Sequence, residues 1–103
     1  MKINKVVHQT GPFNSLEEFP VSLKKIYFNN KIKNPNYKFI YYNDDDCDKI
    51  VKEFDEQVYR AYNMLIPTAY KADIFRMVIL YLHGGIYGDF SQEFIKPLWN
   101  KDE

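Results

Sequence analysis

Three of the four glycines in this 103-residue chain, Gly84, Gly85 and Gly88, fall within five residues of one another. Glycine weakens the interior of a helix or strand. It is useful where the backbone needs a positive φ or where another chain segment must approach closely. The cluster follows an apolar stretch over residues 69–83 and precedes Ile86-Tyr87, so it predicts a helix that stops abruptly and a strand that begins at once. Across residues 71–91 the chain joins a charged Asp73-x-x-Arg76 pair, that helix, the double glycine and a short strand carrying Asp89. Function is expected to concentrate here.

The rest of the chain supplies partners for that strand. Residues 2–8 end in Val6-Val7-His8 and read as a first strand leading to Gln9, Thr10 and the turn Gly11-Pro12. Pro20 can open a helix over residues 21–30, and Asn34-Pro35-Asn36 is turn chemistry. The aromatic run over residues 37–42 predicts a second strand, buried on both faces beyond Lys38. Helices follow over residues 45–54, with Ile50, Val51 and Phe54 inward, over residues 56–64, and over residues 69–83 with Thr68 as N-cap. A third strand is expected over residues 86–90, and a short fourth over residues 94–98. Alternating strands and helices imply an α/β fold with an open, mostly parallel sheet flanked by helices, in one domain spanning residues 1–103. In such sheets ligands sit outside the carboxyl ends of the strands. Those ends carry His8-Gln9-Thr10, Asn43-Asp44 and Asp89-Phe90-Ser91.

Fourteen basic and fourteen acidic groups leave no net charge, which gives no electrostatic reason to expect nucleic acid or an anionic membrane as a partner. Only Arg60 and Arg76 are arginine, so a planar two-pronged anion clamp is available at two positions. The lone Cys47 excludes an internal disulfide or thiolate zinc cluster. No apolar run reaches membrane-spanning length and the first ten residues lack a signal-peptide core, so the expectation is a soluble, cytoplasmic chain.

Asp73 and Arg76 are spaced i, i+3 and can pair on one helix face. The pair reads either as a surface salt bridge worth little or, because the helix around it is apolar almost all round and reads as buried, as serving a ligand or a network. Asp89, at a strand end, reads either as opening a turn or capping the next element, the commoner role of a lone Asp after a strand, or as a group that could hold Mg²⁺ or Mn²⁺ or accept from a ribose hydroxyl. The acidic run Asp44-Asp45-Asp46, with Asp48, precedes an apolar periodicity and is assigned to a helix start rather than to a metal. His8 and His83 read as hydrogen-bonded and helix-terminal histidines.

Val6-Val7-His8-Gln9-Thr10, Asn34-Pro35-Asn36-Tyr37, Lys71-Ala72-Asp73-Ile74-Phe75-Arg76 and Gly84-Gly85-Ile86-Tyr87-x-Asp89 occur in this order. The order resembles nucleotide-sugar glycosyltransferases with a DXD sugar-binding region, including glycosyltransferase family 32. The resemblance implies a GT-A-like fold and transfer of a sugar from a nucleoside-diphosphate donor with retention at the anomeric carbon. It implies donor contacts from His8, Gln9, Thr10, Asp73, Arg76, Gly85, Tyr87 and Asp89, with Asp73 and Arg76 catalytic. Mn²⁺ or Mg²⁺ would sit at Asp89 and Ser91. Ser91 stands where a second acid is expected, and a hydroxyl binds a hard dication more weakly than a carboxylate. By the same likeness the chain is similar to a truncated donor-binding part, completed by a second chain that meets an unknown acceptor. The alternative is a binding module that keeps the fold without catalysis.

Overall fold

A computed structural model of the protein describes residues 4–64 and 68–89. Three strands, β1 (Val6–Thr10), β2 (Lys38–Tyr42) and β3 (Ile86–Asp89), form an all-parallel sheet in the order β2-β1-β3. Helix α1 (Val21–Lys33) connects β1 to β2, after a short 3₁₀ turn at Leu16–Glu18. Helices α2 (Asp44–Phe54), α3 (Glu56–Met64) and α4 (Thr68–His83) connect β2 to β3. The expected α/β architecture, with an open parallel sheet flanked by helices, is the one observed.

Successive crossovers run in opposite directions from β1, so the helices fall on opposite faces of the sheet. One face carries Val7 and Phe39, packed with Tyr27 of α1 and with Tyr37. The other meets a larger core of Cys47, Val51, Tyr62, Phe75, Val78 and Ile79, with Tyr42 and Tyr87 against it. Strand β1, flanked on both sides and covered on both faces, buries Val7, His8 and Gln9 in succession.

Local chemistry explains the helix ends. Asn43 accepts a hydrogen bond from the Asp46 N–H at 2.8 Å, and Asp46 Oδ2 accepts from the Asn43 N–H at 3.1 Å. This reciprocal capping box, with Asp44 and Asp45 near the positive end of the helix dipole, gives the acidic run its structural role. Asn43→Ala is expected to cost about 1 kcal/mol, read as a lower urea midpoint at unchanged slope. At the far end of α4, Gly84 (φ 65°) donates to Leu80 O at 2.8 Å and Gly85 (φ 90°) turns the chain into β3. Asn4 Nδ2 also donates to His83 O at 2.6 Å, closing that helix end from outside.

Several expectations need correction. Strand β1 extends through Thr10, because Gln9 and Thr10 continue the pairing with both neighbours. Helix α1 runs on to Lys33, and Pro20 stands as its N-cap. Thr68 is the first residue of α4. On β2, Phe39 is buried but Ile40, Tyr41 and Tyr42 are half-buried, since β1 is the one neighbour β2 has among the described residues. Helix α4 is not buried all round: Phe75, Val78 and Ile79 are buried, while Met77, Tyr81 and Leu82 are exposed. Only one side of it meets the sheet and α2 and α3. The expected strand over residues 94–98 and the position of Ser91 lie outside the described residues.

Candidate functional site

The order β2-β1-β3 means that the chain leaves β1 toward one side of the sheet and returns to the other. The winding direction therefore reverses between β1 and β3, which is the place where open α/β sheets generally take their ligands. Thr10 is in register with Tyr42 on one side and with Asp89 on the other. The last residues of all three strands thus form one row. Thr10 Oγ1 and the Tyr87 hydroxyl lie 2.6 Å apart, tying β1 to β3 just below this edge.

The loop after β1 is fastened to β2. The Tyr41 hydroxyl donates to Phe13 O at 2.8 Å and accepts from the Phe13 N–H at 3.1 Å. Asn43 Nδ2 donates to Asn14 O at 3.1 Å. Burial raises the Tyr41 hydroxyl above its ordinary range, so it stays protonated at neutral pH and keeps its donated bond.

His8 is 1% exposed and uses both ring nitrogens inside the protein. Nε2 lies 2.9 Å from the Gly84 carbonyl, which can only accept, so Nε2 carries the proton. Nδ1, at 2.8 Å from the Tyr42 hydroxyl, then accepts from it in the neutral ring. Burial is the main cause that holds the imidazole below its ordinary pKa, opposed by the Gly84 carbonyl and aided by nearby His83. His8 is thus a neutral tie between β1, the end of β2 and the glycine turn. It presents no cation to a ligand at neutral pH.

The residues singled out in the sequence fall into distinct places. Thr10 and Tyr87 meet beneath the carboxyl edge, where Asp89 ends β3. Gln9 is buried, on the sheet face opposite His8. Gly85 sits at the other edge of the sheet, against Val6, so its place is structural rather than beside the row of strand ends. Asp73 and Arg76 bond each other at 3.3 Å, with the Arg76 side chain 50% and the Asp73 side chain 60% exposed. They do not form the buried pair that the apolar helix suggested. In that setting the pair contributes less than ~1 kcal/mol to stability, and its guanidinium is accessible. The neighbouring Phe75 ring packs edge-on against Tyr42 at 5.2 Å, which sets this turn of α4 level with the carboxyl ends of the strands.

The sequence reading did not single out Tyr41 or Tyr42, yet both organise this edge. Their signal was visible only as an aromatic run, which gives no hint of hydroxyl partners. Cys47 is buried and its thiol is pushed up to about 12, first by burial and then by Asp44, Asp46 and Asp48, so it is no nucleophile at neutral pH. Among the described residues, no group of three or more His, Cys, Asp and Glu side chains could hold a metal ion, and no helix is long and apolar enough to cross a membrane.

Comparison with known proteins bears on this geometry. The pattern of the "glycosyltransferase sugar-binding region containing DXD motif" matches residues 20–103, a stretch that begins after β1. Over 69 residues, 64% of this chain, the protein is 36% identical to an initiation-specific alpha-1,6-mannosyltransferase of Candida albicans (strain SC5314 / ATCC MYA-2876). The aligned stretch is 18% of that relative, so the chain spans about a fifth of the length of the curated relative it matches. No solved structure matches. Glycosyltransferases with a DXD motif typically use a divalent metal. An all-parallel sheet with its winding reversal beside Thr10 and Asp89, together with a family match over most of the chain, leads to one assignment: the chain belongs to the glycosyltransferase sugar-binding region family containing the DXD motif.

Proposed function

We propose that the chain binds a nucleoside-diphosphate sugar at the carboxyl edge of the sheet, beside the ends of β1 and β3, and takes part in transferring the sugar with retention to an acceptor. The observation that carries this reading is the reversal of winding direction at β1, with Thr10 and Asp89 in register at its mouth. Thr10 and Tyr87 offer hydroxyls to the donor. Arg76 supplies a planar cation suited to a diphosphate, and Asp73 accepts from sugar hydroxyls while holding that guanidinium. His8 and Gln9 contribute by fixing the strand beneath Thr10 rather than by contact.

Asp89, with Ser91, would hold Mn²⁺ or Mg²⁺. One carboxylate suits such an ion when substrate phosphates fill much of its coordination shell. The bound ion would offset charge that develops on the departing diphosphate. In the transfer, the bond from the anomeric carbon to the phosphate oxygen breaks and a bond to an acceptor oxygen forms. The acceptor proton leaves, and the nucleoside diphosphate is released. A second chain that brings the acceptor belongs to the same reading.

Calorimetry with UDP- and GDP-sugars, with and without Mn²⁺, tests the proposal. Binding of at least one donor is expected, with Arg76→Ala weakening it roughly tenfold to a hundredfold as a charge-assisted contact is lost. Asp89→Asn should remove the dependence on Mn²⁺. Absence of binding by every donor, with and without metal, would overturn the donor-site reading.

A further inference from the structure

Helix α1 has two apolar sides. Its inner side buries Tyr27 and Asn30, and Tyr27 packs with Val7 and Phe39 of the sheet. Its outer side carries Val21, Phe28 and Ile32, which are 69%, 54% and 75% exposed. Spaced i, i+7 and i+11, these three fall within about 40° of one another on a helix turning ~100° per residue. Lys24 and Lys31 lie along one flank of this stripe and Lys25 along the other, while Lys33 falls ~120° away, toward the buried side. The thirteen residues of α1 include no acid. A chain without net charge therefore places three of its fourteen basic groups, Lys24, Lys25 and Lys31, beside one exposed apolar line.

We propose that the outer side of α1 docks on an anionic lipid surface, with Val21, Phe28 and Ile32 entering the headgroup boundary and the lysines meeting the headgroups. Charge complementarity selects this occupant. The cations are all lysines, compact point charges on long flexible stems, which suit a diffuse array of anionic headgroups. A protein partner would favour arginine, and protein interfaces are depleted in lysine. Lysines beside an apolar stripe can lay their stems along it and extend their ammonium groups to the headgroups. The stripe continues into an apolar hollow of about 170 Å³ lined by Leu16, Phe19, Tyr27 and Phe28, with Lys24 and Glu17 at its sides. Docking here leaves the carboxyl edge of the sheet open, because the stripe faces away from the strands. The inference is independent of donor binding.

Co-sedimentation of the 103-residue chain with lipid vesicles tests it. Vesicles containing about one-third phosphatidylserine in phosphatidylcholine, at about 0.1 M salt, should bind the chain at least tenfold more tightly than phosphatidylcholine alone, and about 1 M salt should release it. Replacing Lys24, Lys25 and Lys31 together by Gln should weaken binding roughly a hundredfold, about fivefold for each charge. Phe28→Ser with Ile32→Ser should weaken it roughly tenfold while leaving the circular dichroism unchanged, since both side chains are exposed. Equal binding to both vesicle types, or no binding to either, would overturn the proposal. So would binding indifferent to Phe28 and Ile32, or self-association of the chain that the same pair of substitutions abolishes.

Discussion

Gly85→Ala is expected to lose at least about 3 kcal/mol of stability, enough to unfold a small domain of ordinary stability. Two causes add. The residue sits at φ 90°, where a Cβ is strained whatever space surrounds it. That Cβ would also stand 2.5 Å from both Val6 O and Val6 Cγ1. The carbonyl belongs to the main chain at the start of β1, and it cannot retreat without disturbing the pairing of Val7 with Ile86. Gly84→Ala provides the internal comparison. Its φ is 65° and its Cβ would meet the Asn4 side-chain amide at 3.2 Å, a flexible group that can give way by weakening its exposed bond to His83 O. The left-handed conformation costs about 1–2 kcal/mol, and loss of that exposed bond adds at most about 1 kcal/mol. Urea unfolding of the two variants should separate them clearly, and equal midpoints would refute this account of the turn.

His8→Leu should cost about 2–4 kcal/mol and also change how stability responds to acid. The substitution removes the donor to Gly84 O and the acceptor for the Tyr42 hydroxyl in one step, leaving two part-buried polar groups to find other partners. The pH effect follows from linkage. The folded-state pKa lies below the ordinary value of 6.5 that the unfolded chain retains. Above 6.5 the ring is neutral in both states and the full stability is present. As pH falls below 6.5, the unfolded chain takes up the proton first, and stability declines until the folded-state pKa is passed. Chemical denaturation at pH 7.5 and pH 5 should show this loss in the parent protein and a smaller one in His8→Leu. A variant with the parent's full slope would show that another group titrates.

Much of the fold was legible because its signals are local. The glycine pair, the turn at Asn34-Pro35-Asn36 and the polar run before Lys49-Ile50-Val51 each punctuate an element, and the observed boundaries differ by a few residues. The exposure of Met77, Tyr81 and Leu82 was not legible. An apolar residue on a helix carries the same letter whether or not another element covers it, and only tertiary placement decides. The same reason left open whether Asp73 and Arg76 form a surface salt bridge or a buried pair; the structure shows the surface one. His8-Gln9-Thr10 was expected to act as one cluster, but strand alternation divides it. His8 and Thr10 lie on one face and Gln9 on the other, and only Thr10 reaches the edge. The outer stripe of α1 escaped notice for a related cause: apolar residues on opposite sides of a helix blur its periodicity.

A single phenolic oxygen, that of Tyr41, grips Phe13 through both its amide and its carbonyl. Ordering a residue from a free chain costs about 1–2 kcal/mol. The segment following β1 has met that cost at Phe13 during folding, before any guest arrives. A molecule entering beside Thr10 would find one wall already set, so its affinity is spared the entropic toll that a loose rim would impose.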